Sequence, residues 1–107
     1  MARVKGISME LARAEEYVSR HGGVILRRRD GFVLVFKEEN GKKILIWFRK
    51  TPITRKSVKF LEQTLKRIAH DEVWLVKLYL EPDFTDKYRG HVAQVFSWRE
   101  LMDNNEI

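Results

Sequence analysis

The chain has 107 residues, 44% hydrophobic and 11% aromatic, which predicts one domain around one core and excludes two domains of ordinary size. It has no cysteine and no apolar run near the roughly 18 residues of a membrane span, which excludes a disulfide framework, a thiolate metal site and a membrane-spanning helix. Lysine and arginine outnumber aspartate and glutamate by 21 to 15, and the net charge of +6 favours polyanionic partners such as nucleic acids.

Two further features of the composition bear on where the protein works. Residues 1–6 lack the apolar stretch of a secretory signal, so we expect a cytoplasmic location. Charged residues make up 34% of the chain whereas glutamine and asparagine are scarce, a composition typical of hyperthermophile proteins.

The first half of the chain predicts a helix followed by a meander of strands. Ser8 is a suitable helix N-cap, apolar residues follow it at helical spacing, and Gly22-Gly23 stands where the helix would end. Asp30-Gly31 is a preferred two-residue hairpin turn. The strands are expected at residues 24–29, 32–36 and 43–48. The third of these is apolar enough to be buried on both faces.

The second half predicts another helix and two more strands. Thr54 is a suitable N-cap for a helix through His70, because apolar residues recur after it at helical spacing. Strands are expected at residues 73–80 and 92–96, and the polar end of the chain, residues 102–107, should be frayed. The predicted fold is a single α/β domain over residues 1–107, with element order αβββαββ and a mixed sheet flanked by helices.

No catalytic or metal-binding constellation stands out in the sequence. The three histidines, His21, His70 and His91, lie far apart and lack the spacing of a zinc site or an acid–base pair. Neither a glycine-rich phosphate loop nor a Gly-x-Ser-x-Gly motif is present. We therefore predict no catalytic residues, no metal ion and no cofactor.

The element order is also that of metal-dependent nucleases, which need an aspartate on the second strand and Glu-x-Lys on the third to hold Mg²⁺. The predicted third strand has no carboxylate. Lys5-Gly6 followed by Glu10 nevertheless resembles the opening of archaeal Holliday junction resolvases. A resolvase-like or degenerate nuclease-fold nucleic-acid-binding protein is therefore the alternative interpretation.

Basic residues are concentrated around the second predicted helix. Seven cationic residues between positions 49 and 67 accompany a single acidic one, Glu62, and Arg27-Arg28-Arg29 forms a second run. The pattern fits a surface that contacts phosphates, or a solvated helix back on which Glu62 forms i,i+4 pairs. The residues predicted to contact nucleic acid are Arg49, Lys50, Arg55, Lys56, Lys59, Lys66 and Arg67.

Residues 81–86 are acidic in an otherwise basic chain and lie between the last two predicted strands. Such a loop is either simply solvated or inserts into a basic pocket of another subunit, with the apolar final strand completing the contact. The aromatic residues of that strand fit a core position equally well. The residues predicted to bind a partner are Glu81, Asp83, Asp86, Val92, Val95, Phe96 and Trp98.

The sequence FLEQTLKRIAH at residues 60–70, followed by VWLV at residues 73–76, resembles the C-terminal domain of archaeal tRNA-splicing endonucleases. Arg-Ile-Ala-His is the most specific part of the likeness. In that family the helix also follows a strand whose sequence is similar to residues 43–46 of this chain. The last strand of the family's domain ends with a sequence similar to Phe96-Ser97-Trp98. The likeness spans roughly residues 17–99 at the level of element order.

This resemblance implies an RNA-cleaving family whose active members use a tyrosine, a histidine and a lysine without metal. In the family the tyrosine is at the end of the second strand, the histidine at the start of the third and the lysine at the start of the fourth. In this chain the tyrosine position falls near Phe36, the histidine position near Lys42 or Lys43, and the lysine position near Val73-Trp74. All three functions are missing, because phenylalanine has no hydroxyl proton and lysine of ordinary pKa is a poor general base.

The resemblance therefore implies a non-catalytic structural subunit of a heteromeric tRNA-splicing endonuclease. It would assemble with a catalytic subunit, in a heterotetramer, that cleaves introns from precursor tRNA. In the family the acidic loop docks into a basic pocket of the opposing subunit, and residues 81–86 and 92–98 match the loop and the final strand. The basic surface at residues 49–67 would then contact precursor tRNA.

Overall fold

The computed structural model describes residues 8–29, 31–79 and 90–104, so the acidic segment with Glu81, Asp83 and Asp86 lies outside the described residues. The elements in chain order are α1 (Met9–His21), β1 (Val24–Arg29), β2 (Phe32–Glu39), β3 (Lys42–Arg49), α2 (Arg55–Arg67), β4 (Glu72–Lys77), β5 (Gln94–Ser97) and α3 (Trp98–Asn104). None of the helices in these residues is both long and apolar enough to cross a membrane.

The strands form one mixed sheet of five strands in the order β1-β2-β3-β4-β5. β1, β2 and β3 are antiparallel neighbours, whereas β4 pairs parallel with β3, and β5 parallel with β4. A parallel neighbour requires a crossover, which α2 provides between β3 and β4. The prediction of a mixed sheet flanked by helices is confirmed.

Two cores lie on opposite faces of the sheet. On the α1 face, Ala14 and Tyr17 of α1 and Leu101 of α3 pack on the sheet. On the α2 face, Val58 and Leu61 of α2 pack on the sheet. Residues 44–49 of β3 are all buried, so the prediction that this strand is covered on both faces is confirmed.

Side-chain caps set the starts of the two long helices, as predicted. Ser8 Oγ accepts a hydrogen bond from the Leu11 amide at 3.2 Å, and Thr54 Oγ1 accepts one from the Ser57 amide at 3.2 Å. α2 ends at Arg67 and not at His70, because the next residue, Ile68, leaves the helix with extended backbone (φ −120°, ψ 121°). The helix is therefore shorter than predicted.

The predicted fraying from residue 102 onward is wrong for residues 102–104, which belong to α3. Met102 is only 7% exposed and belongs to the core on the α1 face. The helix starts with a capping box: Ser97 Oγ accepts from the Glu100 amide at 3.1 Å, and the Ser97 amide donates to Glu100 Oε1 at 2.9 Å. The spacing Ser-x-x-Glu at residues 97–100 is a sequence signal that indicates this helix.

Glu10 is a buried carboxylate in the first turn of α1. Its side chain is 0% exposed, and within the described residues neither carboxylate oxygen has a hydrogen-bond partner. Burying an unpartnered polar group costs about 1–3 kcal/mol, of which a helix N-terminus recovers about 0.3–1 kcal/mol for an anion. Within the described residues, the burial of Glu10 therefore has a net cost in stability.

Replacing Glu10 with methionine should raise the free energy of unfolding by about 1–2 kcal/mol, because the apolar side chain fills the same space without a desolvated carboxylate. Urea denaturation measures the change. Glu15→Met, at an exposed position of the same helix, is the control and should change stability by less than about 0.5 kcal/mol. A less stable Glu10→Met protein would show that the carboxylate has a favourable partner.

A cluster of titratable groups joins the end of α1 to the end of β2. Lys37 is 6% exposed, and its Nζ donates to the Tyr17 hydroxyl at 3.2 Å and lies 3.2 Å from Glu39 Oε1. The His21 ring packs on Tyr17 with centroids 4.7 Å apart. Burial lowers the pKa of His21, and the nearby charges of Lys37 and Arg20 lower it further. Burial also raises the pKa of Tyr17.

The lowered pKa of His21 predicts a loss of stability in mild acid. The unfolded chain takes up a proton as the pH falls below about 6.5, before the folded chain does, so stability is full above this pH and falls below it. From pH 7.5 to 5.5 the urea midpoint should fall less for His21→Gln than for the natural protein. His91→Gln, a change at a surface histidine, is the control. Equal falls in all three proteins would contradict the assignment.

Candidate nucleic-acid interface

Strand β1 directs two of its arginines onto the α2 face of the sheet. Arg27 pairs with Leu34 and Arg29 pairs with Phe32, and both partners belong to the core on that face. Because side chains alternate along a strand, Arg28 lies on the opposite face. All three arginines are exposed.

A bulge in β1 produces this orientation. Ile25 pairs with Val35 and packs against the core of the α1 face, so regular alternation would place Arg27 on the α1 face as well. The register shifts between Ile25 and Arg27, and the extra residue turns Arg27 to the α2 face. β1 is an edge strand, the usual position for a bulge.

α2 presents a matching row of side chains toward β1. Lys56, Phe60, Gln63 and Arg67 recur at helical spacing and line the space between α2 and the β1–β2 hairpin. Five of the cationic residues predicted to contact nucleic acid belong to α2, and of these only Lys56 and Arg67 lie on the side of β1.

The remaining cations of α2 face away from β1. Arg55, Lys59 and Lys66 are exposed and share a helix face with Glu62. Glu62 Oε2 lies 3.2 Å from His91 Nε2, on the side of α2 toward β5. This face fits the alternative interpretation of a solvated helix back.

Two adjoining concavities separate β1 from α2. One, of about 490 Å³, is lined by residues that include Arg27, Arg67 and Gln63. The other, of about 560 Å³, is lined by residues that include Lys56. Arg29 and Phe60 line both, so the two concavities form one surface, which we name the β1–α2 groove.

The β1–α2 groove is basic and has an aromatic centre. The guanidinium of Arg27 lies 5.8 Å from the Phe60 ring centroid, and the Phe60 and Phe32 rings are 4.8 Å apart. Among the described residues, none of its cations Arg27, Arg29, Lys56 and Arg67 forms an ion pair. Unpaired cations that converge on a groove attract anions such as phosphate.

Arg49 lines the concavity of about 560 Å³ but is largely buried beneath it. It is 5% exposed, and its guanidinium donates to the Thr51 carbonyl at 3.0 Å, the Thr51 hydroxyl at 2.8 Å and the Pro52 carbonyl at 3.3 Å. The side chain thus fixes the connection between β3 and α2. Its neighbour Lys50 is exposed, and its amide donates to the Gly31 carbonyl at 2.8 Å.

The described residues predicted to bind a partner have mixed positions. Val92, Phe96 and Trp98 are partly buried and pack against the two cores, whereas Val95 is 46% exposed. Among the described strands, β5 is the second edge of the sheet and pairs with β4 alone. Within this part of the chain, the outer edge of β5 and Val95 are the exposed part of the predicted partner surface.

The places that correspond to the catalytic residues of the resembled family meet at one end of the sheet. Phe36 pairs with Leu45, and Leu45 pairs with Val73, so these three lie side by side on β2, β3 and β4. Lys43 lies at the start of β3, where its amide donates to Asp71 Oδ2 at 2.7 Å. The register thus brings together positions that are distant in sequence.

An ionic network occupies the same end of the sheet. Lys42 Nζ donates to Glu72 Oε2 at 3.0 Å, and Trp74 Nε1 donates to Glu72 Oε1 at 2.8 Å. The Trp74 hydrogen bond, followed by Lys42, lowers the pKa of Glu72, and Glu72 raises the pKa of Lys42. Both groups are therefore held in their charged forms. Sequence reasoning missed the contact between Glu72 and Lys42, because these two residues are 30 positions apart and only the pairing of β3 with β4 brings them together.

Among the residues that the structure describes, no three His, Cys, Asp or Glu side chains come together to hold a metal ion. Comparisons of the chain with protein-family models, curated proteins and solved structures gave no significant match.

If the β1–α2 groove binds RNA, removing three of its cations should weaken RNA binding more than removing three cations from the other side of α2. The triple change Arg27→Gln, Arg29→Gln and Arg67→Gln should weaken binding of a single-stranded RNA and lower the slope of log K against log salt by about 0.7 for each lost phosphate contact. Fluorescence anisotropy at several salt concentrations measures both quantities.

The charge-matched control for this prediction is Arg55→Gln, Lys59→Gln and Lys66→Gln, on the opposite side of α2. It should weaken binding less and leave the salt slope closer to that of the natural protein. Equal losses in the two triple variants would show that net charge, and not the groove, determines binding.

Proposed function

We propose that this chain is a non-catalytic structural subunit of a heteromeric tRNA-splicing endonuclease, which assembles with a catalytic subunit and binds precursor tRNA. The observation that carries the proposal is the end of the sheet where Phe36, Lys43 and Val73 lie on neighbouring strands. These are the places of the tyrosine, histidine and lysine in the resembled family. Phenylalanine and valine at two of these places cannot transfer protons, which supports a non-catalytic role.

The network of Lys42, Glu72 and Trp74 supports the non-catalytic part of the proposal. A general acid and base that work near neutral pH need pKa values close to that pH. Here the hydrogen bonds lower the pKa of a carboxylate and raise that of a lysine, so each moves away from neutrality. This end of the sheet is therefore suited to stabilising the strands and not to proton transfer.

The β1–α2 groove supports RNA binding. Its cations lack acidic partners within the described residues, and it lies on the opposite side of α2 from the Glu62–His91 contact. Phosphate contacts position a nucleic acid without reading its sequence. Such a groove suits a subunit that holds precursor tRNA while another subunit cleaves it.

The β5 edge supports assembly with a partner. An unpaired strand edge is a template for contact with another chain, and Val95, at 46% exposure, supplies an apolar side chain there. Lys77, Tyr79 and Phe96 line a concavity of about 390 Å³ beside this edge that could receive a partner side chain. In the proposal, the acidic residues Glu81, Asp83 and Asp86 dock on a basic pocket of the catalytic subunit, within a cytoplasmic heterotetramer.

Reconstitution with an archaeal catalytic subunit tests the proposal. The chain alone should not cleave precursor tRNA, whereas the mixture should form a discrete hetero-oligomer by light scattering and cleave faster than the catalytic subunit alone. Cleavage by this chain alone, or equal activity without it, would contradict the proposal. Mg²⁺-dependent cutting of branched DNA would favour the resolvase-like alternative, and RNA binding without a hetero-oligomer would favour an independent binding module.

Charge reversal tests the acidic segment separately. Asp83→Lys with Asp86→Lys should reduce assembly with the catalytic subunit, because each change replaces an attraction to a basic pocket with a repulsion. Glu15→Lys with Glu16→Lys, at exposed positions on α1, is the charge-matched control and should assemble normally. An intact complex with the first variant would exclude the segment from assembly.

A further inference from the structure

Phe60 occupies a position in the β1–α2 groove that phosphate binding alone does not require. Its ring lines both concavities and is only partly buried, and the rest of the ring packs on Phe32 at 4.8 Å between centroids. The packing on Phe32 fixes the orientation of the ring. Fixed, partly exposed aromatic rings within basic grooves are the platforms on which nucleic-acid bases stack.

Cationic side chains lie on both sides of the Phe60 ring. Arg27 and Arg67 line the concavity on one side and Lys56 lines the one on the other, with Arg29 common to both. The two concavities, of about 490 and 560 Å³, each have the size of sites that hold small organic ligands. The groove can therefore accept phosphates on both sides of a base that contacts Phe60.

A stacking platform distinguishes unpaired nucleotides from a duplex. In a helix each base face is covered by its neighbours, so a protein reaches mainly phosphates and 2′-hydroxyls. Bases in loops, bulges and single strands expose their faces and can stack on aromatic rings or on arginine guanidinium planes.

We infer that the β1–α2 groove binds unpaired nucleotides of an RNA strand, with one base stacked at Phe60 and the flanking phosphates on Arg27, Arg29, Arg67 and Lys56. The inference rests on the proposed function for the choice of RNA, and it deepens that function by naming a single-stranded region as the part that is bound. The base takes the place that the Arg27 guanidinium occupies over the ring.

The contact between Arg27 and Phe60 does not prevent this binding. The guanidinium lies 5.8 Å from the ring centroid, close to the outer limit of about 6 Å for a cation–π contact. An exposed contact of this kind is weaker than the stacking of a base on an aromatic side chain. A stacked base can therefore displace Arg27 from the ring.

Two RNAs test the inference on the full chain: an unstructured 12-nucleotide strand and the blunt-ended duplex of that strand with its complement. Phe60→Leu should weaken binding of the unstructured strand roughly tenfold and binding of the duplex less than twofold, with the salt slope unchanged. Phe60→Tyr keeps the ring and is the matched control. Equal losses for both RNAs, or no loss for either, would overturn the inference.

Photo-crosslinking provides a measurement on the unmodified protein, because Phe60→Leu also removes packing against Phe32. A single-stranded RNA with 5-iodouridine should crosslink on irradiation to the peptide that contains Phe60, identified by mass spectrometry. Crosslinking only to other aromatic residues, such as Phe96 or Trp98, would overturn the inference.

The outcomes separate this inference from the proposed function. Both tests use the chain alone with RNA that is not tRNA, so they do not depend on a catalytic subunit. Crosslinking at Phe60 without assembly or stimulation of cleavage would contradict the proposed function and leave the site intact. Assembly and stimulation with crosslinks elsewhere would contradict only the site.

Discussion

The burial of β3 on both faces is the constraint on which the rest of the structure depends. From Ile44 to Phe48 no side chain is more than 3% exposed, so the chain must cover both sides of the sheet. α1 and α3 cover one face, and α2, the crossover to the parallel strand β4, covers the other. α2 packs over the central strands, and β1 at the edge extends beyond it. The groove between them is a consequence of this arrangement.

The chemistry of the groove comes from a local departure from regular strand geometry. The bulge at residues 25–27 turns Arg27 and Arg29 toward α2, where they face Lys56 and Arg67 across Phe60. Like charges in one groove repel each other in the free protein, and a bound polyanion relieves this repulsion. The fold is stabilised elsewhere, by the two cores and by contacts such as those of Arg49 with Thr51 and Pro52. The arginines proposed to bind RNA are therefore different from Arg49, which stabilises the fold.

Local signals in the sequence predicted much of the fold, and tertiary packing determined the rest. The caps at Ser8 and Thr54, the meander and the double burial of β3 follow from residue preferences and hydrophobic pattern. α3 was missed although Ser97 and Glu100 have the spacing of a capping box, because the helix is short and Leu101 and Met102 are buried only by packing on the α1 face. The cations of α2 were predicted as one set. Arg67 and Lys66 are neighbours in sequence, and they differ in role only because Arg67 lies on the side of α2 that faces β1. Neither the burial of Arg49 nor the bulge has a local sequence signal.

The central claim is that the β1–α2 groove is where this chain contacts RNA. Amide chemical shifts from NMR, followed while a single-stranded RNA is titrated into the labelled protein, test it directly because they report the contact surface without any substitution. The account predicts the largest changes at residues 26–29 and 56–67, with smaller changes at Lys42, Glu72 and the β5 edge. Changes centred on Lys42 and Glu72, outside the groove, or on β5, would contradict it.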